Sequence, residues 1–154
     1  MSKPFILQRS AHTNNKWWDS FSRTIGHQGI SMQDIDMVIH NYLTNDIVLL
    51  EVKSHGALPN ESQVLAYQRI DKIMRRGSKE TRPPWKYHGV WLLVIEGASP
   101  DDGRLWLNGV VVTLDQLRAA LVNFKNPQRG WAIEKFHAFH QDIDRKSTRL
   151  NSSH

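Results

Sequence analysis

The chain of 154 residues contains no cysteine. That removes disulfide scaffolds, thiolate zinc sites, iron–sulfur clusters and cysteine nucleophiles. No apolar run approaches the roughly 18 residues that a membrane-spanning helix needs. The first ten residues hold one Lys, one Arg and a short Phe5-Ile6-Leu7, without the apolar stretch of a secretory leader. A soluble intracellular protein with no membrane partner is the expectation. There is no internal repeat and no Gly-rich phosphate loop, which argues against a nucleotide-driven motor. What is present is ordinary globular composition, 40% hydrophobic and 23% charged. Wholesale disorder is excluded, and one domain over residues 1–143 is expected.

Lys plus Arg number 20 against 15 Asp plus Glu, a net charge of +5 and a pI near 9.7. A modestly basic balance favours an anionic partner. Residues 144–154 carry one apolar residue, Leu150, and no periodicity, and read as a frayed tail. The stretch from Arg145 to His154 also resembles a translated sequencing-adapter tail, which would make it foreign to the natural protein. Without Arg145, Lys146 and Arg149 the charge falls to +2, so the placement of the cations matters more than their sum.

Bulky residues at 17, 18, 21 and 25 have helical spacing, and Gly26 ends that segment. Ile35 to Ile39 is rich in β-branched residues and reads as a strand. After a turn over 41–46, Ile47 to Lys53 reads as a second strand, apolar on both faces until Glu51. Glu61 to Arg76 has Val64, Tyr67, Ile70 and Met74 on one helical stripe, and Gly77 stops it. Val90 to Ile95 is wholly apolar, as in a buried central strand. Arg104 to Thr113 is a further strand in which Gly109 marks a bulge or a small hairpin. Leu114 to Phe124 is a helix capped by Thr113 or Asp115, and Trp131 to His140 is ambiguous. A hairpin followed by a helical crossover into another strand gives an α/β fold with a mixed sheet flanked by helices.

Chemistry concentrates at the hairpin. Glu51 and Lys53 are two apart on one strand and share a face. Pairing Asn41 with Asp46 sets Asp36 opposite Glu51, where Cβ atoms stand about 4.5–5.5 Å apart; Asp34 would then face Lys53. Two carboxylates at that spacing repel each other unless a cation neutralises them. Hard oxygen ligands select Mg²⁺ or Mn²⁺, ions that activate water against a phosphodiester. An adjacent Lys would orient the water or neutralise developing charge.

The string Asp34-Ile-Asp36, a turn, then Ile47-Val-Leu-Leu-Glu51-Val-Lys53 resembles the PD-(D/E)XK nuclease superfamily. Gln63 and Tyr67 on the next helix resemble the QxxxY motif of its RecB-type branch. The resemblance spans roughly residues 15–96. It implies a restriction-endonuclease-like αβββαβ core, extended here by a C-terminal strand and helix. It also implies a Mg²⁺-dependent deoxyribonuclease in the cytoplasm of a prokaryote or a phage-infected host. Asp36, Glu51 and the backbone carbonyl of Val52 would hold the metal, with Asp34 the alternative to Asp36. Lys53 would position the attacking water, and Gln63 and Tyr67 would hold the Lys or the scissile strand. Ile35 stands where the family has its Pro, and Asp19 is the one acid on the first helix. Two further readings stand beside this one. The first is a dimeric, structure-specific resolvase of branched DNA. The second is a nucleic-acid-binding or assembly module that keeps the fold without catalysis.

Lys72, Arg75, Arg76, Lys79, Arg82 and Lys86 fall within fifteen residues with Glu80 as the one acid among them, and Trp85 and Tyr87 close the run. Cations with nearby aromatics suit DNA phosphates and bases. His55 reads first as a turn residue beside Gly56 and second as a neighbour of the site. His137 and His140 could share a helix face, but they lack a third ligand at metal spacing.

Overall fold

The computed structural model describes residues 20, 24, 35–140 and 143. The chain divides into two compact units, Met1–Asp34 and Ile35–His154, and every element below belongs to the second. Ser20 and Thr24 are helical. The rest of the helix expected over 17–25, together with Asp19, Asp34 and the tail from Arg145, lies outside the described residues.

Strand β1 (Met37–Asn41) and strand β2 (Asp46–Lys53) form an antiparallel hairpin. Its turn is set by Asn41, whose Oδ1 accepts from the N–H groups of Leu43 and Thr44, an Asx turn. Asn45 completes it at φ 60°. Helix α1 (Glu61–Gly77) starts at Asn60, which shares a reciprocal capping box with Gln63. The helix buries Val64, Tyr67 and Asp71 and returns the chain to strand β3 (Lys86–Ile95), parallel to β2. Strands β4 (Leu105–Leu107) and β5 (Val110–Val112) follow as an antiparallel hairpin. Between them Asn108 and Gly109 both adopt positive φ, 51° and 84°. That pair is the signature of a two-residue turn matched to strand twist, so Gly109 marks a hairpin and not a bulge. Helix α2 (Leu114–Asn123) is capped by Thr113 and closed by Phe124 at φ 52°. A single 3₁₀ turn (Ile133–Lys135) leads into helical residues 136–140.

Among the described residues the sheet is five-stranded and mixed, in the order β1-β2-β3-β4-β5. The fold is α/β, as the sequence led us to expect. Among the described residues no helix is long and apolar enough to cross a membrane. The ambiguous segment after Trp131 is helical because Ile133, Phe136 and Ile143 come down on the α1 face of the sheet. Strand β3 begins four residues before its apolar run, because Lys86 and Tyr87 pair with Asp46 and Ile47. Ladder pairing, and not burial, sets that boundary.

The core has two layers. On one face Val48, Leu50, Trp91, Leu93 and Ile95 pack beneath Leu117, Ala120 and Phe124 of the α2 segment. On the other, Leu49, Val90, Leu92 and Val94 pack beneath Val64 and Tyr67 of α1 and against Ile133 and Phe136. Strand residues alternate faces, so Glu51, in step with Leu49, belongs to the α1 side.

Candidate active site

The ladder of β1 and β2 runs from Asn41↔Asp46 to Met37↔Leu50. One step further sets Asp36 against Glu51, the register inferred from the sequence. Asp36 sits in a bend just before β1. Its Oδ2 accepts from the N–H of Val52 at 2.8 Å, two residues past the last ladder pair. The side chain thus supplies an acceptor where the strand stops doing so. The contact is to the Val52 N–H; the resemblance assigns the carbonyl of the same residue to the metal.

Glu51 is 3% exposed, the one buried acid of the hairpin. The Lys53 ammonium stands 3.2 Å from Glu51 Oε1, with 22% of the Lys side chain reaching solvent. Burial pushes the Glu51 carboxyl above its ordinary value, and the Asp36 carboxylate pushes it further. The Tyr67 hydroxyl and the Lys53 ammonium draw it part of the way back. Tyr67, 1% exposed on α1, is near enough to lower the acid's pKa, yet Glu51 Oε2 remains buried with no hydrogen bond of ordinary length and angle. Gln63, one helical turn before Tyr67, uses its Oε1 to accept from the Asn60 N–H. Its carbonyl is committed to the start of α1.

Among the described residues no group of three or more His, Cys, Asp or Glu side chains is gathered closely enough to hold a metal ion. Among the described residues the carboxylates at this place are Asp36 and Glu51. Mg²⁺ keeps several waters and is commonly held through one or two carboxylates plus substrate phosphates. A buried carboxylate oxygen without a hydrogen bond of ordinary geometry, a second acid near it and an ammonium on its other oxygen fit such an ion.

The basic residues are not gathered at this site. Asp46 pairs with Lys86 and Glu51 with Leu92 along the same parallel ladder, so Lys86 lies at the opposite end of the sheet from Glu51. Lys72, Arg75, Arg76, Lys79 and Arg82 lie on the last turns of α1 and the loop after it, all exposed. Arg75 is tied down: its Nε donates to Asp71 Oδ2 at 2.9 Å, and its guanidinium lies 5.5 Å from the Tyr87 ring centroid. Asp71, 2% exposed, also accepts from the Tyr87 hydroxyl at 2.8 Å. This Asp71–Arg75–Tyr87 group, with Asp71 in the interior and Arg75 exposed, is absent from the sequence reading. Its signal is an acid and Arg at i, i+4 with the acid on the apolar stripe. The Asn60-x-x-Gln63 capping box is legible in the same way. His55 is a turn residue at φ 56°, its N–H donating to the Gly97 carbonyl. His137 is exposed and His140 is 1% exposed, so of the two only His140 lies in the interior.

Comparison with protein-family models, with curated proteins and with solved structures yields no match to this chain.

Proposed function

We propose that the protein is a metal-dependent DNA nuclease of the PD-(D/E)XK type, built on a restriction-endonuclease-like core and acting in the cytoplasm. The observation that carries this reading is the Glu51 carboxylate. It is buried, held above its ordinary pKa beside Asp36, and flanked by the Lys53 ammonium. An interior acid with so little compensation is costly unless something positive joins it. A bound Mg²⁺ or Mn²⁺ would supply charge neutralisation and a more acidic water. Asp36 and Glu51 are the residues that would hold it. Lys53, partly open to solvent, donates hydrogen bonds to the water or to a non-bridging phosphate oxygen and carries positive charge toward the phosphate as its charge builds. Tyr67 offsets part of the upward shift of the Glu51 carboxyl, and Gln63 anchors the helix that carries Tyr67.

The test is cleavage of linear duplex, single-stranded and branched DNA in Mg²⁺ and in EDTA, beside Lys53→Ala. Metal-dependent cleavage that falls at least about 100-fold in the variant is expected, in line with the loss of one charge-stabilising donor. Equal background from both proteins overturns the proposal. It would then favour a nucleic-acid-binding or assembly module, a reading supported by the want of a third acid among the described residues. Selective cutting of branched DNA by a homodimer would instead assign the protein to the resolvases.

A further inference from the structure

The C-terminal end of α1 and the loop after it form a cationic surface with little to neutralise it. Among the described residues Lys72, Arg76, Lys79 and Arg82 make no ion pair, since Arg75 alone of this cluster is paired. The loop is prefolded. Ser78 N–H donates to Met74 O at 3.0 Å, and Thr81 Oγ1 donates to Ser78 O at 2.8 Å. Trp85 N–H reaches both Ser78 O at 2.9 Å and Thr81 Oγ1 at 3.0 Å. Trp85 is 38% exposed at the edge of this surface, its ring centroid 5.6 Å from that of His40.

Its distance from the carboxylates is fixed by the fold. Lys86 is level with Asp46, and from there to Glu51 strand β2 rises about 16 Å. Along α1, the axis rises about 20 Å from Gln63 to Arg76. Successive phosphates on one strand of a duplex are about 3.4 Å apart along its axis. The basic end therefore lies about five to six nucleotides from the carboxylates.

We propose that this end is a second DNA contact, in which Arg76, Lys79 and Arg82 hold backbone phosphates about five to six nucleotides to one side of the bond to be cut. The placement rests on the nuclease reading; the contact itself does not. It makes the protein a reader of duplex length, because a DNA too short to span both places keeps only the weaker half of its contacts.

The experiment measures anisotropy of fluorescein-labelled duplexes of about 4 base pairs (covalently cross-linked to keep it paired) and about 24 base pairs, which fall short of and exceed the span at about 3.4 Å per step. Glu51→Gln protein in EDTA serves as the uncut background. The longer duplex is expected to bind at least about tenfold more tightly, and Arg76→Ala/Lys79→Ala/Arg82→Ala should abolish that gain. The slope of log affinity against log salt should fall by up to about 3 in the triple variant, near 0.9 per phosphate lost. Trp85 gives a local readout: fluorescence quenching by the long duplex, absent in Trp85→Phe, should vanish in the triple variant. Unchanged affinity and slope in the triple variant overturn the proposal. So does equal quenching by poly-glutamate, which would mark the surface as a site for acidic peptides. The two readings fail separately. Cleavage in Mg²⁺ that is indifferent to duplex length sinks the second contact and leaves the nuclease. Length-dependent binding with no cleavage in Mg²⁺ or Mn²⁺ sinks the nuclease and leaves the contact.

Discussion

Replacing Glu51 by Gln should make the metal-free protein more stable while removing its response to Mg²⁺. The folded-state pKa of Glu51 is raised above its ordinary 4.5, first by burial and then by Asp36. A raised carboxyl pKa means that the folded chain binds the proton more tightly than the unfolded chain. Stability therefore falls as pH rises through the window between the ordinary and the raised value. Above that window the ionised carboxylate costs its full amount; below pH 4.5 it costs nothing. Gln keeps the size and an acceptor for Tyr67 and Lys53, and removes the charge. Lys53 loses its ion pair, but it is partly exposed and can turn to water.

Neutralising a buried, incompletely compensated charge stabilises by about 1–2 kcal/mol, the lower part of the range for buried ion-pair replacements. For a chain of this length that is roughly a 2–8 °C rise in Tm. The assay is thermal denaturation followed by circular dichroism, in EDTA, near pH 8 and near pH 4.5. The gain should be present at the higher pH and shrink at the lower, where the wild type is increasingly protonated. Mg²⁺ at ten times its Kd should add about 1.4 kcal/mol to the wild type and nothing to the variant. A variant less stable than wild type near pH 8 would show that the Glu51–Lys53 pair is a net structural gain. The case for a cation-seeking carboxylate would fall with it, as it would if Mg²⁺ raised both proteins equally.

Asp36 can be divided into its two roles. Asp36→Asn keeps an acceptor for the Val52 N–H and should leave metal-free stability within about 0.5 kcal/mol, while the Mg²⁺-dependent rise in Tm is lost. Asp36→Ala should cost a further 1 kcal/mol or so by orphaning that N–H, read in the same melts. Tyr67→Phe removes a group that lowers the Glu51 pKa, so the acid limb of the cleavage rate against pH should move to higher pH; an unmoved limb would mean that the hydroxyl does not act on Glu51. Asn60→Ala breaks the capping box and should destabilise by about 1 kcal/mol, with the acid limb unchanged.

Much of the fold was legible because its strands are marked by position as well as by composition. Ile47 to Leu50 and Val90 to Ile95 are apolar without a break, and each proves to be buried on both faces. The turn residues Asn41 and Asn45 fix the hairpin register, whose ladder ends at Met37↔Leu50, one step short of Asp36 and Glu51. The interior position of Asp71 was not legible, since an acid on an apolar stripe reads as a boundary error until its partners come from elsewhere. Tyr87, sixteen residues later in the chain, supplies one of them. Gln63 illustrates the opposite failure: a residue read as belonging to the site serves the helix cap, because one Gln stands both three residues after Asn60 and four before Tyr67.

The distance between the acids and the basic run was hidden for a related reason. Along the chain Lys53 and Lys72 are close, and a helix between them suggests that the two clusters meet. A parallel crossover forbids it. Because β3 runs in the same direction as β2, α1 must carry the chain back along the full length of the sheet before β3 can begin. Whatever starts α1 lies near the end of β2, and whatever ends α1 lies near the beginning of both strands. Tyr67 is therefore held near Glu51, with Gln63 one turn before it on the helix, whereas Arg76, Lys79 and Arg82 are carried to the far edge. The same topology that brings a helix side chain to the carboxylate removes the cations from it. A single ligand touching both must be long enough to reach from one end of β2 to the other.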